Sequence, residues 1–86
     1  MSMHESYELP PLSQAAQDFQ PGIYQHYKGD LYKAHFVGRL SEDRDQEYVV
    51  YQSVKKGFVW LRPLAMFLEN VEVDGVVMPR FRRMNT

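Results

Sequence analysis

Two short segments of the chain combine aromatic rings with cationic side chains, a combination that suits a planar or anionic ligand. The first segment contains Tyr24, His26 and Lys28, and the second contains Trp60 and Arg62. Histidine exchanges a proton near neutral pH, and arginine can form two parallel hydrogen bonds to a carboxylate or a phosphate. These residue types therefore favour ligand recognition, with proton transfer by His26 as a further option.

Motifs for catalysis or metal binding are weak in comparison. No serine lies in a nucleophile elbow, and the glycines form neither a dinucleotide fingerprint nor a phosphate loop. His26 and His35 can be neighbours in a hairpin, but zinc requires three or four protein ligands and no carboxylate is assigned to that patch. We therefore predict no catalytic residue, no metal site and no cofactor.

The same residues also have structural interpretations. His26 can hold a neighbouring turn by a hydrogen bond, and Trp60 can close the core at a strand end. Arg62 can pair internally with Glu69 or Glu72.

The C-terminal run from Pro79 to Arg83 alternates bases with a ring, which suits phosphate contact with stacking. A strand with Phe81 inward and with Arg80 and Arg82 outward explains the same pattern without a ligand.

Composition limits the class of protein. The chain has 86 residues, 44% of them hydrophobic and no cysteine, which predicts one small domain without a disulfide framework. The net charge of −1 gives the whole molecule no general attraction for nucleic acid or anionic lipid. No apolar run approaches the roughly 20 residues that span a bilayer, so a cytoplasmic location without membrane contact is expected.

The elements that must position these residues are mostly strands. From Gly22 onward, short β-branched and aromatic runs alternate with turn residues, and Pro63 to Leu68 can form one helical turn. Gly29-Asp30 and Asp74-Gly75 are typical of two-residue hairpin loops. Five to six short antiparallel strands with one short helical turn predict a mainly β fold, a small curled barrel. The predicted strands are 23–28, 31–39, 47–54, 58–61, 71–73 and 76–78.

A two-residue loop at Gly29-Asp30 would place Tyr27 opposite Tyr32 and separate the hairpin into two faces. The predicted core face carries Ile23, Tyr27, Tyr32, Ala34 and Phe36. The predicted outer face carries Tyr24, His26, Lys28, Lys33 and His35. A three-residue turn that includes Lys28 would reverse this sidedness.

Residues 1–21 are polar and punctuated by prolines, which predicts an N-terminal extension outside the core, partly disordered or a short helix. Ser13 can cap one or two helical turns, with an apolar stripe formed by Leu12, Ala16 and Phe19. The single folded domain is then residues 22–83.

The chain contains an ordered set of short motifs, namely Gly22 to Gly29, Val49-Val50-Tyr51, Trp60 to Phe67, Val71 to Gly75 and Pro79-Arg80-Phe81. This set resembles the small bacterial family catalogued as domain of unknown function 1653. The match runs from Gly22 to about Phe81, and the chain departs from the pattern at Leu40, where His is expected, and in a shorter turn at 55–57. The resemblance implies a compact SH3-like barrel or roll and brings no established activity or substrate.

The sequence thus predicts a non-enzymatic binding module whose ligand is a peptide, a nucleotide or a nucleic-acid segment. The alternative is a structural protein that pairs through strand edges, for instance Val76-Val77-Met78, and could form a homodimer. A third hypothesis is a small enzyme that uses His26 with Arg62 and Arg80. The predicted groove is lined by Tyr24, His26, Lys28, Trp60, Arg62 and Arg80.

Overall fold

Seven strands and two short helices make up the protein, whose computed structural model describes residues 9–85. The predicted mainly β fold is confirmed, with seven strands instead of the predicted five to six. No helix in residues 9–85 has the length and apolarity to cross a membrane. The helices are α1 (Gln14–Asp18) and α2 (Leu64–Leu68), and the strands are β1 (Gly22–His26), β2 (Leu31–Leu40), β3 (Asp43–Ser53), β4 (Val59–Pro63), β5 (Asn70–Val73), β6 (Val76–Pro79) and β7 (Phe81–Arg83).

Five of the strands form one antiparallel sheet, in the order β4-β3-β2-β1-β7. Strands β5 and β6 form a separate two-stranded hairpin. The larger sheet is curled, so that its two edge strands approach each other. The guanidinium carbon of Arg62 on β4 lies 5.7 Å from the ring centroid of Phe81 on β7. Strands β4 and β7 are not paired by hydrogen bonds, so the curled sheet is an open roll.

The predicted register of the first hairpin is wrong by three residues. Tyr24, not Tyr27, lies opposite Tyr32. The loop spans three residues, because the His26 N–H donates to the Asp30 carbonyl at 2.8 Å and Gly29 supplies a backbone φ of +114°. An odd shift exchanges the two faces of a strand, so Tyr24 and His26 point inward, against the prediction.

A β-bulge on β2 makes a second part of the predicted core wrong, namely the inward position of Phe36. Ala34 pairs with Tyr51 and Phe36 pairs with Val50, which leaves His35 as an extra residue on β2. Ala34 is buried as predicted, but the bulge turns Phe36 to the outer face, where its side chain is exposed.

The core is a cluster of rings between the sheet and α2. Phe67 of α2 stacks on Phe81 with 4.1 Å between ring centroids, and Tyr51 contacts both rings edge-on. Pro63 directly precedes α2. An N–H group at this position would have no partner within the helix, so proline is tolerated there. Leu64 and Phe67 of this turn are buried, whereas Met66 is exposed.

The segment before β1 belongs to the core, which corrects the prediction of an extension outside it. Ser13 caps α1 by accepting from the Ala16 N–H, as expected. Ala16 is buried, Leu12 packs against the core, and the Phe19 ring stacks on Tyr24 at 5.9 Å. The first eight residues of the predicted extension lie outside the described residues.

Candidate functional site: an aromatic cleft with an arginine

An open cleft of about 230 Å³ lies where the two edge strands of the curled sheet approach each other. We call it the aromatic cleft, and it brings together three of the six predicted binding residues. Its lining residues are His26, Tyr32, Tyr51, Trp60, Arg62 and Phe81.

The pairing of the strands explains how these residues meet. Trp60 and Arg62 are two positions apart on β4 and therefore share one face of the sheet. Trp60 lies opposite Tyr51 on β3, while His26 lies opposite Phe81 at the other edge of the sheet. The curl brings the two pairs together around one cleft.

Arg62 is half-buried in this cleft and makes few polar contacts of its own. Its Nε donates to the Tyr51 hydroxyl at 3.0 Å, and its guanidinium lies over the Phe81 ring, within cation–π range. The predicted internal pairing with Glu69 or Glu72 is wrong, because Glu69 accepts from Arg80 instead. Within residues 9–85 no carboxylate pairs with Arg62, so its two terminal nitrogens remain available.

His26 is held in one orientation by the turn that follows it. Its Nδ1 accepts from the Lys28 backbone N–H at 3.2 Å, which matches the structural interpretation of this residue and places the proton of the neutral ring on Nε2. Burial lowers the pKa of His26, and the positive charges of Arg62, Lys28 and Arg80 lower it further, against a smaller opposite effect of Asp30. Near neutral pH the ring is therefore an uncharged Nε2–H donor.

The polar groups that line the aromatic cleft are chiefly hydrogen-bond donors. The buried Tyr51 hydroxyl already accepts from Arg62, so its proton is free to be donated. Arg62 and His26 contribute N–H groups, and no acidic side chain from residues 9–85 lines this cleft. Such a set fits the oxygen atoms of an anion or a carbonyl group.

Tyr24, one of the predicted binding residues, is not part of the groove. Its side chain is only 7% exposed, and its hydroxyl donates to the Gln20 carbonyl at 2.6 Å. Burial raises the pKa of Tyr24, with a smaller lowering effect of Arg83. The correction follows from the reversed sidedness of β1.

Lys28 and Arg80 also lie outside the residues that line the cleft. Lys28 is exposed in the turn, where its backbone N–H binds His26 and its Nζ lies 5.8 Å from the Tyr27 ring. Arg80 donates to Glu69 at 2.8 Å, and its buried Nε has no partner among the described residues. The charges of both residues contribute to the lowered pKa of His26.

Three lining residues, Tyr32, Tyr51 and Phe81, were not among the predicted binding residues. Tyr32 and Phe81 were assigned to the core, and no local motif distinguishes a core ring whose edge also lines a cleft. A usable signal lay in β4 and the turn before it, where Lys56, Phe58, Trp60 and Arg62 occupy every second position.

The comparisons with known proteins agree with the family resemblance. A family model described as a protein of unknown function, DUF1653, matches residues 22–83. The chain belongs to the DUF1653 family. A crystal structure of a DUF1653 protein from Bordetella bronchiseptica is similar at a TM-score of 0.72 and 38% sequence identity, covering 80% of this chain and 91% of that chain. No curated protein matches this DUF1653 chain.

Proposed function

We propose that this DUF1653 protein is a non-enzymatic binding module whose aromatic cleft holds an anionic group of a peptide, a nucleotide or a nucleic-acid segment. One observation carries the proposal. The guanidinium of Arg62 is half-buried among rings and, within the described chain, has no carboxylate to neutralise it.

Partial burial of an unpaired cation costs solvation free energy, which an incoming anion would offset. Because Nε is engaged by Tyr51, the two terminal nitrogens are left to make a pair of parallel bonds to one carboxylate or phosphate group. The neutral His26 and the Tyr51 hydroxyl add donors without adding charge. A single cation therefore favours a monoanion, such as a carboxylate or a phosphodiester.

The geometry of His26 supports binding rather than catalysis. Its Nδ1 is occupied by the Lys28 N–H, and Nε2 carries the proton, so neither nitrogen is free to accept a proton in this tautomer. The hypothesis of an enzyme that uses His26 with Arg62 and Arg80 has less support, since Arg80 is also paired with Glu69.

The test is an NMR titration of ¹⁵N-labelled protein with uridine monophosphate and with a short peptide that has a free C-terminal carboxylate. We expect chemical-shift changes centred on Tyr51, Trp60 and Arg62. Arg62→Gln should weaken binding at least about tenfold, because charge-assisted hydrogen bonds are lost. Lys33→Gln is the matched control, an exposed cation away from the cleft. Equal affinity of the Arg62→Gln protein, or shifts confined to other surfaces, would refute the proposal.

A second candidate function, assembly through strand edges, is favoured by the outer edge of β4. Ser53 N–H donates to the Phe58 carbonyl, so by alternation Val59 and Leu61 direct their backbone groups away from β3. Neither residue has another backbone partner in the described chain, and their side chains are 58% and 66% exposed. Such an edge can pair with a second copy.

Sedimentation velocity over a range of protein concentrations measures self-association and so tests this second function. Self-association that Leu61→Lys abolishes would support pairing through β4, since a charged edge opposes pairing. A monomer at every concentration would exclude it.

A further inference from the structure

A row of four side chains extends the aromatic cleft along β4 and into the turn before it. We call it the β4 row, and in chain order it is a cation, two rings and a cation, namely Lys56, Phe58, Trp60 and Arg62. Alternate residues of an extended chain lie on one face, which places Phe58, Trp60 and Arg62 together. Lys56 lies in the turn and joins the row because it lines the same cleft as Phe58 and Trp60. Phe58 is 58% exposed and Trp60 is 50% exposed, so both rings present area that the core does not use.

A second cleft, of about 240 Å³, adjoins the aromatic cleft. Tyr32 and Trp60 line both clefts, and Lys55, Lys56 and Phe58 line only the second. Because Tyr32 and Trp60 line both, the two clefts are adjacent, and we refer to them together as the groove of the β4 row.

The groove is positively charged, in contrast to the chain as a whole. Lys55, Lys56 and Arg62 line it, and Asp30 is the single acidic side chain among the residues that line the two clefts. The whole chain has a net charge of −1. The positive charge is thus concentrated beside the exposed rings, which is the arrangement that complements a polyanion with planar groups.

We propose that this groove binds a short single-stranded segment of RNA or DNA. Unpaired bases stack on Phe58 and Trp60, one phosphate lies at Arg62, and another lies at Lys55 and Lys56. The extended part of the β4 row, from Phe58 to Arg62, is about 13 Å long, at roughly 3.3 Å per residue over four residues. This inference rests on the proposed function, because it names the ligand class of the same cleft.

The donor set favours a nucleic acid over a peptide. An extended peptide offers as many N–H donors as carbonyl acceptors, so it needs acceptors from the groove as well as donors. The groove offers mainly donors and two ring faces. Phosphate oxygens are acceptors only, and every base has a face that stacks on an aromatic ring without a sequence requirement.

The experiment uses Trp60, the only tryptophan of the chain, as a fluorescent reporter. Titration with hexauridylate or hexathymidylate should quench its emission in a saturable way. With two phosphates in contact with cations, the slope of log K against log salt concentration should be about −1.4, at roughly −0.7 per phosphate on a single strand. Replacing both Lys55 and Lys56 by Gln should reduce that slope to about −0.7.

Variants of the rings are compared by anisotropy of a labelled oligonucleotide. Trp60→Leu and Phe58→Leu should each weaken binding at least about fivefold, because a stacking surface is lost. Leu61→Ala is the matched control, since Leu61 lies next to Trp60 on β4 but on the opposite face. Equal weakening by Leu61→Ala would overturn the inference.

The outcomes separate this inference from the proposed function. If uridine monophosphate or the peptide carboxylate binds at Arg62 but neither oligonucleotide does, the nucleic-acid inference is wrong and the binding module stands. If no probe shifts the resonances of the aromatic cleft, both are overturned.

Discussion

At the scale of single residues, two hydrogen bonds determine which groups the aromatic cleft offers to a ligand. The Tyr51 hydroxyl occupies Nε of Arg62, and the Lys28 N–H occupies Nδ1 of His26. Each contact fixes the orientation of a side chain while leaving its remaining donors unused. Residue types alone could suggest that Arg62 and His26 bind a ligand, but these partners come from the fold.

The lowered pKa of His26 predicts how stability depends on pH. The unfolded chain binds a proton at His26 more readily than the folded protein does, so the free energy of unfolding should fall as pH decreases through about 6.5 toward the lower, folded-state pKa. His26→Gln should show a smaller fall, because this proton uptake is removed. Urea denaturation at several pH values between about 7 and 5 measures both proteins. Identical pH dependences would contradict the prediction.

At the scale of elements, a residue pair links the N-terminus of helix α1 to strand β3. The N–H and the hydroxyl of Ser13 donate to the two carboxylate oxygens of Glu47, at 2.8 Å and 2.6 Å. The same hydroxyl oxygen caps the helix by accepting from Ala16. Ser13 therefore links the segment before β1 to the sheet, which explains how so short a helix is retained.

Ser13→Ala should lower the free energy of unfolding by about 1 kcal/mol, within the range of about 0.5–2 kcal/mol for loss of a helix N-cap. Gln14→Ala is the control, because it removes only an exposed contact to Asp18 and should cost a few tenths of a kcal/mol. Urea denaturation near neutral pH gives both values.

The Ser13 effect should itself depend on pH. The hydrogen bonds from Ser13 lower the pKa of Glu47, so their contribution is complete above the ordinary value of 4.5 and is lost as pH falls through the folded-state pKa. The difference between wild type and Ser13→Ala should therefore narrow in acid. A difference that stays constant would show that the carboxylate is not involved.

The two hairpin loops show how far local sequence determines an element. Asp74-Gly75 forms the predicted two-residue loop, with Val73 opposite Val76 and positive φ at both loop residues. Gly29-Asp30 does not, because a three-residue loop places Gly29 at the position that needs positive φ. Both loops satisfy the local preference for glycine. A glycine at position 29 is compatible with either a two-residue or a three-residue loop. The three-residue loop is the one that buries Tyr24, and this packing exists only in the folded chain.

At the scale of the whole molecule, the stacked pair Phe67 and Phe81 joins α2 to the last strand of the sheet. Phe67→Ala should therefore cost about 3–5 kcal/mol, the range for removing a buried phenylalanine. Phe58→Ala, at an exposed ring, should cost less than about 1 kcal/mol. Denaturant unfolding compares the two variants, and similar costs would mean that Phe67 does not hold the roll together.

Only the part of the site formed by residues close together in the sequence could be predicted. Trp60 and Arg62 share a strand face by spacing alone, so their partnership could be read from the sequence. Tyr51 and Phe81 join them through pairing and curl over long separations in the chain, which no short pattern encodes. The position of Tyr24 depended on a register that a one-residue change of loop length decides.

Tyr51 and Phe81 belong both to the buried core and to the wall of the aromatic cleft. A molecule bound in the cleft would therefore contact core side chains directly, and unfolding would separate these side chains. Occupancy and folding are consequently linked, and a ligand at 100 times its Kd would add about 2.7 kcal/mol to the folded state. The melting temperature is then a reporter of the ligand, and a compound collection can be screened with the unlabelled protein.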